Sequence, residues 1–331
     1  MTLRRVTVAG AGIIGLWQAL TLARRGFSVS LVDRHFHPVE GCASRHAGAM
    51  LAPWVEAESA PAVVRELGVA GLDLWRAAYP GVVNKGSLVV AVARDQPDLH
   101  RFAKLTEAHR TLNRADIAAL EPDLTDRFST ALYFPEEAHV ATPDALAFLL
   151  AECRKLGVDI HFGRALEESD RETLIVDCRG MGARHRLPDL RGVRGERVLL
   201  RTQEVTFSRP VRLLHPRHPL YVVPWGENRY LVGATMIESE DPGPVTVRSA
   251  LELLGTAYAL HPAFGEAEVL EMSAGVRPAF PDNVPRARVV DGGSSIMVNG
   301  AYRHGFLLAP ILADAVADYL ERGSPHPLLQ T

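Results

Sequence analysis

The chain opens on a short apolar run followed by a longer run with helical spacing. Residues 4–10, RRVTVAG, are rich in β-branched residues and end in glycine, which is typical of a buried parallel strand. Residues 13–27, IIGLWQALTLARRGF, space their apolar positions as a helix does and finish on arginines and Gly26, a helix stop. Residues 28–33, SVSLVD, form a second strand that ends at Asp33. The pattern predicts a β-α-β unit.

The middle of the chain predicts one further helix and two strands of the same domain. Thr142 is expected at the helix N-cap and Pro143 at the first helical position, and Gly157 ends the helix. The strand VDIHF follows, and a second strand, TLIVDC, comes after it. We place both strands in the domain of the β-α-β unit.

Other segments are β-rich or alternate between apolar and polar residues. They are GSLVVAVA, ALYFPE, VLLRTQEVTF and LYVVPWGENRYLVGATM, and Gly226-Glu227-Asn228 in the last one reads as a hairpin turn. These segments predict the antiparallel sheet of a second domain, interleaved with the first. The sequence contains no internal repeat and no low-complexity linker, so neither domain is expected to be an independent module.

The C-terminal region has a strand, a glycine turn and a helix in the same order as the opening, without repeating its sequence. A short strand, Ile296 to Val298, precedes a glycine-rich loop and a long helical pattern. Pro310 is expected early in this helix, where a missing N–H is tolerated best. The apolar positions of the helix fall near one face; they are Phe306, Leu307, Ile311, Ala315 and Val316.

Length and composition narrow the class of protein. At 331 residues, one large domain or two closely packed domains are expected, and 47% hydrophobic with 23% charged residues is typical of a soluble globular protein. A net charge of -3 gives no general attraction to nucleic acid or anionic membranes. The three cysteines form no CxxC pair, which favours a reducing compartment, and no apolar run is long enough to span a bilayer. We therefore expect a cytoplasmic protein without nucleic-acid or membrane partners.

The glycines of residues 8–15, VAGAGIIG, have the spacing of a dinucleotide cradle. Gly10 permits the tight turn, Gly12 lets the backbone approach a pyrophosphate, and Gly15 lets the helix pack against the strand. The helix N-terminus offers N–H groups to the phosphates, and Asp33 is placed to accept hydrogen bonds from ribose hydroxyls. This unit predicts a dinucleotide site but does not distinguish NAD from FAD.

Two further segments favour FAD. The loop CASRHAGAMLAP can run beside an extended cofactor, although an ordinary polar loop has the same composition. The C-terminal helix presents a second N-terminus, which suits a flavin because the reduced ring gains negative charge at its N1–C2=O edge. A plain amphipathic helix is the alternative.

Motifs along almost the whole chain resemble the D-amino-acid oxidase and glycine oxidase family of FAD enzymes, above all the glycine oxidases of bacterial thiamine biosynthesis. They are VAGAGIIG, ASRHAGAMLAP, VRGERV, LYVVPWGENRYLVGATM, AGVRP and NGAYRHGFLLAP. The resemblance implies an α/β fold with a Rossmann-like FAD domain, non-covalent FAD, and an antiparallel-sheet substrate domain. We expect residues 1–52, 141–190 and 272–331 in the first and residues 53–140 and 191–271 in the second; the family also suggests tetramers.

Arg277 is the first candidate for a substrate-binding residue. A guanidinium holds a carboxylate through a planar two-bond fork, and the resemblance places the carboxylate-binding arginine of the family here; a structural ion pair is the alternative. Tyr221 can donate its hydroxyl to the same carboxylate, or it is a core residue. Met236 matches a pocket wall or packs in the core. Arg303, placed with His304 beside the flavin by the resemblance, either raises the electron affinity of the ring or anchors the loop.

The expected cofactor-binding residues come from the glycine turn, the loop after the second strand, the strand end near Cys178 and the C-terminal loop. They are Gly10, Ala11, Gly12, Ile13, Ile14, Gly15, Asp33, Arg34, Ser44, Ala47, Gly48, Met50, Cys178, Gly180, Gly300, Tyr302, Arg303, His304, Gly305, Phe306 and Leu307. Residues 162–178 are shorter than in relatives, which leaves open which backbone atoms there touch FAD.

The resulting hypothesis is an FAD amine oxidase that oxidises glycine, with sarcosine and small D-amino acids as the other candidate substrates. The products are an imine that hydrolyses to glyoxylate and ammonia, and hydrogen peroxide from oxygen, and the resemblance implies a place in the thiazole branch of thiamine biosynthesis. The alternatives are a D-amino-acid dehydrogenase that passes electrons to a quinone or other carrier, and a non-catalytic nucleotide-binding protein. No metal site is expected, because the paired histidines (His35 and His37, His215 and His218) lack a completing cysteine or acid.

Overall fold

The computed structural model describes residues 4–167, 170, 172–216 and 219–331. The helices are α1 (Ile13–Arg24), α2 (Pro53–Glu56), α3 (Ala62–Ala78), α4 (Gln96–Leu105), α5 (Arg114–Leu120), α6 (Thr142–Lys155), α7 (Val247–Leu260) and α8 (Gly305–Arg322). The strands are β1 (Arg5–Ala9), β2 (Ser28–Asp33), β3 (Met50–Leu51), β4 (Ser87–Ala91), β5 (Arg110–Asn113), β6 (Thr130–Phe134), β7 (Ala138–His139), β8 (Asp159–Phe162), β9 (Leu174–Asp177), β10 (Arg191–Arg201), β11 (Val211–Leu214), β12 (Leu220–Pro224), β13 (Arg229–Gly233), β14 (Ile237–Glu238), β15 (Glu268–Ala279), β16 (Arg286–Val290), β17 (Ser295–Asn299) and β18 (Leu329–Gln330).

The first sheet confirms the predicted β-α-β unit. Its strand order is β18-β16-β17-β9-β1-β2-β8, and β1 pairs in parallel with both β2 and β9. The central strands bury both faces, and Val8, Leu31 and Val176 are inaccessible to solvent. Strands β8 and β9 lie in this sheet, as the sequence predicts, and β17 brings the C-terminal segment next to β9.

Helices α1, α3 and α8 pack together on this sheet. The backbones of α3 and α8 touch, since a Cβ added at Gly71 would lie 2.2 Å from the Leu307 carbonyl oxygen. The expected early position of Pro310 is wrong: it is the sixth residue of α8, beyond the first turn. Its missing N–H leaves the Phe306 carbonyl without a helical donor, and the Trp75 indole of α3 donates to that oxygen at 2.6 Å.

The second sheet has the order β14-β10-β13-β12-β11-β4-β6-β5, with β15 also paired to β10. It departs from the antiparallel expectation at one junction, where β11 runs parallel to β4. Gly226, Glu227 and Asn228 all have positive φ, and Trp225 N–H donates to the Arg229 carbonyl at 2.8 Å, so the predicted hairpin turn is confirmed.

Two elements cross the expected domain boundaries. Strand β15 pairs with β10 along its whole length, so the boundary expected at residue 272 falls inside a strand of the second sheet. Helix α3 lies in the stretch 53–140, yet its Leu72 and Trp75 belong to the core beneath the first sheet. The two sheets therefore share helices and strands rather than forming separable modules.

Helix α6 begins one residue earlier than expected. Ala141 is its N-cap, and the Thr142 hydroxyl donates to the Ala47 carbonyl oxygen at 2.7 Å rather than capping the helix. This bond fixes the start of α6 to the loop after β2. Gly157 follows the helix with φ 75°, as a helix stop requires. Within the described residues, none of the helices has the length and apolar content needed to cross a membrane.

Candidate active site

A continuous cavity of about 810 Å³ lies between the two sheets. It is lined by residues from both ends of the chain and by strands of the second sheet. Of the expected site residues, it brings together Gly10, Gly12, Ile13, Ile14, Asp33, Arg34, Ser44, Ala47, Gly48, Met50, Cys178, Gly180, Tyr221, Met236, Arg277, Tyr302, Arg303, His304, Gly305, Phe306 and Leu307. Ala11, Gly15 and Gly300 do not line it.

The glycine turn after β1 is tight enough to need its glycines. Gly10 has φ 98°, and a Cβ there would lie 2.8 Å from the Cys178 carbonyl oxygen. A Cβ at Gly15 would lie 1.7 Å from the Gly10 carbonyl oxygen, so α1 touches the turn it follows. The Ser44 hydroxyl accepts the Ile13 N–H at 3.0 Å. The first turn of α1 therefore faces the cavity with N–H groups that have no partner inside the helix.

Asp33 braces the same turn. One carboxylate oxygen accepts the Ala11 N–H at 2.7 Å, and the other accepts the His35 N–H at 2.9 Å. A carboxylate has further acceptor positions, so Asp33 can still receive hydrogen bonds from a ligand in the cavity. The His35 ring is held at 3.0 Å from Asp33, and His218 of the second predicted histidine pair lies outside the described residues.

The strand end at Cys178 carries a local ion pair. Arg179 donates two hydrogen bonds to the buried Asp177, at 2.7 and 3.0 Å. This pairing explains why an arginine is accommodated beside the cavity at this position. In the shortened segment between Phe162 and Cys178, Arg164 and Leu166 reach the cavity.

The C-terminal loop places a second helix start against the cavity. Gly300 has φ 77°, and a Cβ there would lie 2.1 Å from the Phe280 ring. His304 is the N-cap residue of α8 and is 3% exposed. Phe306 and Leu307, in the first turn of α8, line the cavity wall. Helix starts from remote parts of the sequence therefore face one cavity.

Arg277 lies on β15 with its guanidinium flat over the neighbouring strand. Its register partner is Val193, and a Cβ added at Gly195 would lie 2.1 Å from the Arg277 Nη2 atom. Arg277 Nη1 donates to the Thr235 carbonyl oxygen at 3.1 Å, and among the described residues no carboxylate lies within ion-pair distance of it. Burial lowers the pKa of Arg277 from its usual value. The structural ion pair considered for Arg277 is thus absent from the described part of the chain.

Tyr221 and Met236 line the cavity near Arg277. A Cβ added at Gly48 would lie 2.6 Å from the Tyr221 ring, so a glycine gives the ring its space. Met236 is 50% exposed, which excludes the core role considered for it. Its sulfur lies 3.4 Å from both the Tyr302 hydroxyl and Arg303 Nη1.

Glu56 is a site residue that the sequence does not reveal. Arg303 Nη2 donates to its Oε1 atom at 2.9 Å, and His304 Nδ1 lies 3.6 Å from its Oε2 atom. Burial would raise the pKa of Glu56, but the charges of Arg303, His304 and Arg212 outweigh it and the pKa lies below its usual value. The Glu56 carboxylate in turn raises the pKa of Arg303. Arg303 therefore anchors the C-terminal loop to α2.

Helix α2, which carries Glu56, is held by a second buried acid. Glu137 accepts the Val55 N–H at 2.7 Å and the Ser87 hydroxyl. Burial raises the pKa of Glu137 to about 8. Glu137 therefore fixes the short helix from behind and keeps Glu56 turned toward Arg303.

The cavity passes a physical test for FAD. Its length joins the glycine turn to Arg277, its walls include the start of α1, the start of α8 and Asp33, and a Cβ would close the turn at Gly10. Pyrophosphate suits the N–H groups of α1, and a ring that gains negative charge suits the start of α8. The residues present therefore fit the cofactor.

The family model described as FAD dependent oxidoreductase matches residues 5–319. The chain belongs to this family. Within the FAD dependent oxidoreductases it is 52% identical over 325 residues to a Rhizobium etli protein provisionally named thiamine biosynthesis oxidoreductase ThiO, covering 97% of this chain and 98% of that one.

Solved structures show the same fold. Glycine oxidase from Geobacillus kaustophilus superposes with a TM-score of 0.79 at 24% identity, covering 98% of this chain and 96% of that one. L-α-glycerophosphate oxidase from Mycoplasma pneumoniae, with FAD bound, gives a TM-score of 0.80 at 19% identity and covers 100% of this chain and 97% of that one. These structures confirm the predicted α/β architecture, and the family match makes the chain an FAD-dependent oxidoreductase.

Proposed function

We propose that this enzyme oxidises glycine to its imine with bound FAD and reduces oxygen to hydrogen peroxide. The observation that carries the proposal is the guanidinium of Arg277, which faces the cavity without an acidic partner among the described residues. The names of the Rhizobium etli and Geobacillus kaustophilus relatives support this activity and a role in thiamine biosynthesis. Water then converts the imine to glyoxylate and ammonia.

Bound FAD supplies the acceptor for a hydride from the substrate α-carbon and returns the electrons to oxygen. The protein positions the substrate: Arg277 holds the carboxylate through two hydrogen bonds, and Tyr221 donates its hydroxyl to the same group. Met236 forms the wall beside them and limits the side chain that the α-carbon can carry. These roles leave the substrate amine and α-carbon as the groups that face the cofactor.

Non-covalent binding of FAD is part of the proposal. Burial raises the pKa of the Cys178 and Cys42 thiols, and both residues line the cavity. A thiol with a raised pKa is a poor nucleophile, so neither side chain is suited to attack the cofactor.

Acid precipitation of the protein should release all of the yellow FAD into the supernatant. Yellow colour that remains in the protein pellet would contradict non-covalent binding. We also propose that the enzyme is cytoplasmic and that it assembles as a tetramer.

The products test the proposed activity. Aerobic turnover of glycine should give peroxide, ammonia and glyoxylate in equal amounts, because each two-electron oxidation of glycine reduces one oxygen molecule. An Amplex-type assay measures the peroxide and a hydrazone assay measures the glyoxylate, both on the same sample. Reduction of the cofactor by D-alanine with no peroxide would instead indicate a D-amino-acid dehydrogenase.

Gly195→Ala should weaken substrate binding while leaving the fold intact. The added methyl meets the end of the Arg277 side chain rather than backbone, so the guanidinium moves and the strand stays paired. A displacement of this kind should raise the KM for glycine about tenfold or more. Steady-state kinetics with thermal unfolding checks it, and Gly255→Ala, where a Cβ meets nothing within 4 Å, is the control. An unchanged KM would show that the guanidinium does not bind substrate from this position.

A further inference from the structure

Of the arginines that line the cavity, Arg212, Arg277 and Arg303 lie within electrostatic reach of Glu56. Two of them already have an acidic partner. Arg303 is paired with Glu56 at 2.9 Å, and Arg212 Nη2 donates to Glu58 Oε2 at 3.3 Å. All four of these side chains are largely buried. Arg277 is the guanidinium among the three that has no such partner in the described part of the chain.

Glu56 holds its negative charge firmly. The neighbouring cations lower the pKa of Glu56 despite its burial, so it is ionised at neutral pH. The Glu56 charge lies within electrostatic reach of Arg212, Arg277 and Arg303 together. Arg212 is fixed further by the Phe102 ring, whose centroid is 5.1 Å from the guanidinium carbon. Three cations and two anions therefore lie together here: Glu56 lines the cavity, and Glu58 contacts Arg212, which lines it.

We propose that Glu56 and Glu58 determine substrate specificity by neutralising Arg303 and Arg212, so that the site accepts one carboxylate and rejects substrates with a second acidic group. The proposal rests on the proposed role of Arg277 as the carboxylate clamp. A second carboxylate on the ligand would have to displace Glu56 or Glu58, or lie unpaired beside them, and like charges in a buried site repel strongly. Amino dicarboxylates such as D-aspartate and iminodiacetate belong to the rejected class.

Binding of unreactive acids to the oxidised holoenzyme tests the proposal without requiring turnover. Acetate, malonate and succinate are titrated while the visible absorption of bound FAD is recorded, and the dissociation constants are compared as dicarboxylate-to-acetate ratios. The wild type should bind acetate at least as tightly as either dicarboxylate. Glu56→Gln removes the negative charge that neutralises Arg303. In this variant the ratio should move about tenfold toward the better-fitting dicarboxylate. Glu58→Gln should move it in the same direction by a smaller factor, since Glu58 is more exposed and its contact is longer.

Glu107→Gln is the matched control, because it removes the same charge from an exposed pair with Arg65 outside the cavity. Its ratio should equal that of the wild type. An unchanged ratio in both cavity variants would overturn the proposal, as would a wild type that already prefers a dicarboxylate; if Glu56→Gln does not fold, Glu58→Gln decides alone. If none of the three acids bound the wild type, Arg277 would not be a carboxylate-binding residue, and the proposal would be overturned with it. If the ratio shifted but glycine did not reduce the bound FAD, the role of Glu56 and Glu58 in specificity would be supported and the proposed oxidation of glycine would be contradicted.

Discussion

Replacing Arg277 with alanine should raise the KM for glycine by about two orders of magnitude or more. The guanidinium faces the cavity, and its partner in the described structure is a single carbonyl oxygen, that of Thr235. A carboxylate bound there replaces lost hydration with a two-bond fork, and removing one member of such a pair costs about 2–5 kcal/mol. Initial rates over a wide range of glycine concentration measure the effect.

Arg277→Lys separates charge from geometry. Lysine keeps the positive charge but cannot form the planar fork, so its KM should fall between those of the wild type and the alanine variant. Arg201→Ala is the control, because Arg201 pairs with Glu268 at the exposed end of the same strand pair. A wild-type KM in Arg277→Ala would defeat the assignment of the clamp.

Gly15→Ala should yield protein that is purified without FAD. The new methyl carbon would lie 1.7 Å from the Gly10 carbonyl oxygen, which is backbone and cannot rotate away. Helix α1 must therefore move off the turn, and its N–H groups lose their position against the pyrophosphate. We expect the affinity for FAD to fall about a hundredfold or more, because the helix terminus and the turn supply most of the phosphate contacts.

The ratio of visible to ultraviolet absorbance of the purified protein reports bound FAD, and titration with added FAD gives the dissociation constant. Gly255→Ala is again the matched control, a helical glycine with open space around it. Stoichiometric FAD in Gly15→Ala would contradict the placement of the cofactor on α1. Circular dichroism separates loss of the cofactor from loss of the fold.

Local patterns predicted the first sheet well. The β-α-β unit, the strands near residues 160 and 175 and the stop at Gly157 depend on neighbouring residues, so a single sequence contains their signal. Thr142 shows the limit of such reasoning. Its identity fits a helix cap, but a carbonyl 95 residues away, that of Ala47, competes for its hydroxyl.

Long-range contacts account for the rest of the differences. Pro310 can lie beyond the first turn of α8 because Trp75, from a distant helix, supplies a donor for the Phe306 carbonyl. Likewise, β15 crosses the expected domain boundary because its partner β10 continues beyond that point. The sequence around α8 does not indicate a contact with Trp75, and the sequence around β15 does not indicate a pairing with β10.

The candidate site shows the same division. The glycine turn and the C-terminal loop are contiguous motifs, so the sequence alone names their residues as candidates. Glu56 stands in an unremarkable stretch, PWVEAES, and its partner Arg303 is 247 residues away, so only the folded chain reveals the pair. Gly195 belongs to the VRGERV motif, but its role appears only in the fold, where the Arg277 guanidinium crosses it.

One measurement examines cofactor, cavity and clamp together: anaerobic mixing of the yellow protein with glycine, followed at the visible absorption band of FAD. If both helix starts hold one FAD and Arg277 holds the substrate carboxylate, glycine should bleach the band, and Arg277→Ala should require far more glycine for the same rate. A colourless protein that does not take up FAD, or a band that glycine, sarcosine and D-alanine all leave unchanged, would contradict it.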